Sequence, residues 1–175
     1  MSTTHTIART ALGELTLVAE DGTLSGVYFP GHWTRPDPAI FGVRVGAGFE
    51  EAERQLGEYL GGDRTVFDLE TTAAGDPFQR GVWEILTRIP YGETATYGEI
   101  ARELGNVTLA RRVGGAVGHN PLSIIVPCHR VVGAGGRLTG YAGGLDRKRS
   151  LLQLEGALDG DPASGGADPG TLALF

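Results

Sequence analysis

Polar and apolar residues alternate at the start of the chain. Leu15, Leu17 and Ala19 recur at period two within Gly13 to Ala19, between a first run Thr4 to Thr10 and a third run Thr23 to Phe29 that follows the Asp21-Gly22 turn. Period two puts one face of each run on a core, so these segments predict a small meander of strands. Thr34 to Gly48, with Pro36 and Pro38, reads as loop. From Phe49 the period changes: Phe49, Ala52, Leu56, Tyr59 and Leu60 fall on one helical face, and Gly61-Gly62 stops it. Thr65 to Leu69 predicts a closing strand, and Thr71 to Gly75 is small and polar enough for a linker.

The second half opens on a strong helix start. Asp76 can cap, Pro77 suits the first helical position, and Gln79 completes a capping box. Phe78, Val82, Ile85, Leu86 and Ile89 form the apolar stripe, which Pro90 ends. Thr96 with Glu99 predicts a second capping box and a short helix to Leu104. Thr108 then caps a third helix through Arg111, Arg112 and Val113 towards Gly118. Two short helices around a glycine turn, with arginines in the second, have the shape of a helix-turn-helix. A β-branched run, Ser123 to Val126, leads into Pro127-Cys128-His129-Arg130-Val131-Val132 as an extended segment. After a glycine-rich loop comes a helix from Leu145 to Glu155. These elements divide the chain into an N-terminal α/β domain (1–75), a second domain (76–156) and a flexible tail (157–175) rich in Gly, Ala, Asp and Pro.

Composition changes this picture in one respect. With 41% apolar and 21% charged residues in 175, the chain is globular, and no apolar run approaches the roughly 18 residues of a spanning helix. Met1 to Ala11 has no charged-then-apolar signal pattern, which points to a cytoplasmic address. The net charge of −6 argues against a polyanionic partner until it is partitioned. Residues 1–75 carry −6, residues 157–175 carry −3, and residues 76–156 carry +3, so the segment with the helix-turn-helix shape is the basic one.

The single cysteine, Cys128, excludes an internal disulfide and a cysteine-rich zinc knuckle. A thiol of ordinary pKa is only a few per cent thiolate at neutral pH, and apolar neighbours lower that fraction, so a reactive Cys128 needs an activator. His129 is the nearest base. Neighbours in an extended segment point to opposite sides, so a bridging water or a bend at Pro127-Cys128 is required, together with a carboxylate to hold the imidazole. Read alone, Cys128 and His129 also fit an inert core pair.

The string Ile125-Val126-Pro127-Cys128-His129-Arg130-Val131-Val132 resembles the active-site signature of the O6-alkylguanine-DNA alkyltransferases, also called methylated-DNA–protein-cysteine methyltransferases. The resemblance extends through Phe78-Gln79, Val82-Trp83, Ile89 to Thr94, Thr96-Tyr97, Arg111, Val113 to Ala116, Asn120-Pro121, Tyr141, Gly143 to Leu145, Lys148 and Leu151-Leu152, covering roughly residues 76 to 156. It implies an α/β protein with a ribonuclease-H-like N-terminal domain and a winged-helix-like C-terminal domain. It further implies a monomer that needs no cofactor, binds double-stranded DNA, flips an O6-alkylguanine (O4-alkylthymine as well) and takes the alkyl group irreversibly onto its cysteine.

The same resemblance implies roles. Cys128 is the acceptor, His129 the base acting through a water, Glu155 the carboxylate that orients it, and Asn120 the support beneath the thiol. Tyr97 turns the target phosphate, Arg111 enters the stack in place of the flipped base, and Arg112 is read as a phosphate contact from its place in the basic segment. The Val131 carbonyl accepts from the guanine amino group, the Ala142 N–H meets O6, and Tyr141 belongs to the loop that closes the pocket. Zinc-ligating cysteines and a methyl-phosphotriester domain, found in some relatives, are absent from this sequence. Three alternatives remain: a lesion-binding alkyltransferase-like protein, whose known forms carry tryptophan in place of the cysteine; a thiol hydrolase using His119 or His129; and a non-catalytic DNA-binding regulator.

Overall fold

The computed structural model describes residues 1–158. Its contacts divide the chain into two units, one of residues 1–74 with 121–125 and another of 75–120 with the residues from 126 onwards. The sequence reading assigned 121–125 to the second domain, and the flexible-tail expectation falls, from residue 159, outside the described residues.

In the first unit β1 (Thr3–Thr10), β2 (Gly13–Glu20) and β3 (Thr23–Tyr28) form the meander that the alternation predicts, with antiparallel pairs such as His5↔Val18 and Leu17↔Val27. Two features depart from it. A short strand β4 (Val43–Arg44), within the expected loop, pairs in parallel with β1, giving the order β3-β2-β1-β4. β2 is also buried on both faces: Leu15 and Leu17 are joined by Val18, which packs with Tyr28 and Phe41. Gly42, at φ 68°, makes this return possible, because a Cβ there would lie 1.8 Å from the Thr3 carbonyl oxygen.

Helix α1 (Glu50–Leu60) buries Ala52, Leu56 and Tyr59, as its stripe predicts, and also Gln55. That glutamine overturns the strand expected at Thr65 to Leu69. Its amide takes both backbone groups of Asp68, donating to the carbonyl at 2.9 Å and accepting from the N–H at 2.8 Å, so no neighbouring strand is needed there. Backbone pairing with β3 comes instead at Thr71, through a parallel bridge to Leu24, and at Leu122, through a parallel bridge to Val27. Ile124, in the returning segment, holds φ 73°, an uncommon conformation for a β-branched residue.

The second unit is helical. α2 (Pro77–Thr87) begins with the expected capping box: Asp76 accepts from the Gln79 N–H at 2.8 Å and Gln79 accepts from the Asp76 N–H at 3.0 Å. α3 (Tyr97–Glu103) has the second box, Thr96 with Glu99. The third cap differs from expectation. Asn106, not Thr108, caps a short 3-10 turn, Val107–Leu109, and takes up the Thr108 N–H and hydroxyl; α4 (Ala110–Gly118) continues from it without a side-chain cap. Trp83 ties α2 to α4 by donating to the Ala116 carbonyl at 2.8 Å. α5 (Leu145–Leu154) buries Leu151 and Leu152 and ends at Glu155.

Candidate active site

The Cys128 segment is not extended. Pro127 (φ −79°, ψ 65°) turns the chain, and Cys128–Arg130 is one 3-10 turn, with the Arg130 N–H donating to the Pro127 carbonyl at 3.0 Å. This is the bend that cooperation between Cys128 and His129 requires. The turn exits into β6 (Val131–Val132), which pairs in parallel with β5 (Ala95–Thr96). That two-residue ladder brings the start of α3, and so Tyr97, to the turn that carries the thiol.

Cys128 and His129 are both buried. Burial pushes the thiol up; hydrogen bonds from the Asn120 and Tyr141 side chains and the positive charge of Lys148 act the other way without cancelling it. Asn120 Nδ2 also donates to the Val126 carbonyl at 2.9 Å, which fixes its amide below the turn. Burial lowers the His129 pKa despite the adjoining carboxylate, so the imidazole rests neutral. Its Nε2 lies 2.9 Å from Glu155 Oε2. With Nε2–H donating to that oxygen, Nδ1 carries the lone pair and is the nitrogen able to take a proton.

Glu155 has a second partner that the sequence reading did not assign. Arg130 meets the same carboxylate with two donors, Nε to Oε1 and Nη2 to Oε2, each at 2.8 Å, and its Nη1 donates to the Ile89 carbonyl at 2.6 Å. A guanidinium in this forked arrangement fixes the plane of the carboxylate, and the carboxylate fixes the imidazole. Lys148 was also missed. It is completely buried, and its Nζ donates to the carbonyls of Val131 (2.5 Å), Thr139 (2.8 Å) and Gly140 (3.3 Å). A signal for Lys148 existed in the sequence: Lys148, Leu151, Leu152 and Glu155 lie at helical spacing on one stripe, so two charged residues share the buried face that runs along α5 to its cap.

The remaining predicted residues fall into two places. Tyr97, largely buried at the start of α3, accepts from Thr139 Oγ1 at 3.5 Å, and burial pushes its phenol well above the ordinary value. Val131, Tyr141 and Ala142 are buried. A cleft of about 870 Å3 opens between α3 and the glycine-rich loop, lined among others by Tyr97, Arg102, Ala110, Gly135, Arg137 and Thr139. Arg111 and Arg112, by contrast, are exposed in the first turn of α4. Arg112 rests its guanidinium 3.9 Å above the Phe78 ring.

The arrangement holds a buried thiol and a neutral imidazole fixed by a carboxylate, with Tyr97 and Thr139 lining the cleft beside α3. Among the described residues, no group of three or more His, Cys, Asp or Glu could hold a metal ion.

Comparison with known proteins gives concordant results. The family described as 6-O-methylguanine DNA methyltransferase, DNA binding domain, matches residues 77–157. The chain is 49% identical over 152 residues to the methylated-DNA–protein-cysteine methyltransferase of Mycobacterium tuberculosis, covering 82% of this chain and 87% of that one. It is 56% identical over 109 residues to the protein of that name from Methanosarcina acetivorans, covering 62% and 70%. Among solved structures it is similar to Mycobacterium tuberculosis OGT in complex with DNA, with TM-score 0.82 and 45% identity over 87% of this chain and 92% of that one. The crystal structure of the Mycobacterium tuberculosis O6-methylguanine methyltransferase gives a TM-score of 0.79 at 42% identity, covering 91% and 96%.

Proposed function

Since the chain belongs to the methylated-DNA–protein-cysteine methyltransferase family, we propose that Cys128 is the alkyl acceptor and that the residues around it divide the work of a single transfer. The protein is a DNA-binding repair methyltransferase that reverses alkylation damage directly. In the proposed reaction Sγ attacks the carbon on guanine O6, an S–C bond forms as the C–O6 bond breaks, and the electron pair returns to the guanine. The thiol proton leaves through a water to His129 Nδ1 and ends on the released base, so atoms and charge balance without a cofactor. A thioether has no route back to the thiol here, and each molecule acts once.

Glu155 orients His129 and stabilises the imidazolium while it lasts. Asn120 and Tyr141 give the developing thiolate hydrogen bonds in a dry site, where such bonds count for more than in water. A guanine inside a duplex cannot reach a buried thiol, so the lesion must be flipped out. Arg111, exposed on α4, fills the space left in the stack; Arg112 contacts phosphate; Tyr97 turns the target phosphate beside the cleft. The Val131 carbonyl accepts from the guanine amino group, having a second lone pair beside the one Lys148 uses, and the Ala142 N–H donates to O6. We extend the reading to O4-alkylthymine, to a ribonuclease-H-like first unit and a winged-helix-like second one, and to a cytoplasmic monomer.

The observation that carries this reading is the buried Cys128 beside an imidazole held by a buried carboxylate. A lesion-binding role alone is not favoured, because the acceptor thiol is in place. The test is incubation with duplex DNA bearing O6-methylguanine followed by peptide mass spectrometry. One S-methyl group on Cys128 per lesion repaired is expected. An unmodified Cys128, or repair beyond one lesion per molecule, overturns the reading.

A further inference from the structure

The charges buried in the second unit do not balance. Arg130 is matched by the two oxygens of Glu155, and His129 rests neutral against the same carboxylate. Lys148 has no carboxylate among the described residues: its three partners are all backbone carbonyls, and its side chain is fully buried. A buried ammonium held only by neutral dipoles is costly unless an anion comes near it. Of the groups facing this region, Asn120 at the end of α4 cannot ionise, and burial holds Tyr97 on α3 protonated. Glu155 on α5 is already shared by Arg130 and His129. Tyr141 in the loop hydrogen-bonds the thiol. The group that can supply the missing negative charge is Cys128.

We propose that Lys148 is a positioning residue for the transfer, serving as the fixed counter-charge of the Cys128 thiolate while its ammonium pins the Val131 carbonyl and the Thr139–Gly140 backbone on either side of the pocket. This rests on the reading of Cys128 as the acceptor. The cation lowers the free energy of the thiolate relative to the thiol, so the anion forms when the proton leaves and is not held permanently. Burial that lowers Lys148 to about 8 reflects the same imbalance: the ammonium is poorly compensated while the thiol keeps its proton. Alkylation then removes the one anion available to it among the described residues. The S-alkyl product keeps Arg130, Glu155 and Lys148 but can no longer form a thiolate, so the product state carries a buried cation without a counter-charge.

The test follows the pH dependence of Cys128 alkylation by iodoacetamide, a small neutral electrophile that needs no DNA. In Lys148→Met the midpoint is expected to rise by about one unit or more, with the rate at neutral pH falling about tenfold. Lys148→Arg, which keeps the charge, should stay within about half a unit of wild type. A merely structural Lys148 would lower the rate in both variants at every pH without moving the midpoint, and that result overturns the proposal. Should Lys148→Met fail to fold, Lys148→Gln, which keeps a donor for the backbone carbonyls but no charge, is expected to raise the midpoint in the same way. An unchanged midpoint overturns the proposal. Neither measurement depends on repair, so failure of methyl transfer from DNA would sink the functional reading separately.

Discussion

At the scale of single residues, the site depends on one carboxylate answering three donors, two from a guanidinium and one from a neutral imidazole. Glu155 receives both arms of Arg130 and the Nε2 of His129, all buried. Removing one partner of a buried ion pair leaves a desolvated charge behind, at a cost of about 3–5 kcal/mol. Glu155→Gln should therefore lower stability by that order, read as a fall in the urea midpoint, and should also slow alkyl transfer because the imidazole loses its fixed tautomer. A variant with unchanged stability would mean that Arg130 finds another partner and that the carboxylate is dispensable to the fold. Much of this was legible in sequence. Cys128 and His129 stood out through their neighbours, and Glu155 through resemblance. Arg130 and Lys148 did not: Arg130 lies in a short turn with no periodicity to mark its burial, and a charged side chain on a helix is ordinarily solvated, so only the stripe Lys148 shares with Leu151 and Leu152 hints that it turns inward.

Helices and strands were legible wherever local chemistry decides them. The capping boxes at Asp76 and Thr96 close within a few residues, and the meander follows from period two. Elements set by distant partners were not. The Thr65 to Leu69 strand gives way to a glutamine side chain on α1, and the extended Cys128 segment becomes a turn because Pro127 redirects it. At this scale α4 carries the clearest prediction. Arg111 is exposed in its first turn, whereas neighbouring Arg112 is partly committed to the Phe78 ring. Unstacking a base costs a few kcal/mol, which an inserted side chain must offset. Arg111→Ala should cut repair in duplex DNA by about tenfold or more while leaving reaction with the free alkylated base within about twofold. Equal losses on both substrates would remove Arg111 from flipping.

For the whole molecule, the net charge of −6 is a poor guide, because the residues from 76 to 156 carry +3. Two of those cations, Lys148 and Arg130, are buried and cannot meet phosphate. Six arginines remain exposed against six exposed carboxylates in the same segment, so affinity for undamaged duplex is expected to be modest. It should fall with log salt at a slope of about −2 to −4, near −0.9 for each phosphate neutralised. Fluorescence anisotropy across a salt series checks this, and a slope near zero would mean that contacts other than phosphate dominate. The charge partition was legible in sequence. The assignment of Pro121–Ile125 to the first unit was not, because it depends on backbone pairing with β3 and on a left-handed Ile124.

That returning segment has a consequence in time. β3 is the outer strand of its sheet, and its Val27 N–H and carbonyl are met by Pro121 and Ser123, just as its Leu24 carbonyl is met by Thr72. A chain growing at about 5–20 residues per second leaves the Val27 edge unpartnered for on the order of ten seconds after β3 is made. An open strand edge is a template for joining another chain. The nascent protein is therefore most exposed to aggregation on the ribosome before the sequence around its buried cysteine has been translated, and the same few residues that seal the sheet deliver Cys128 next.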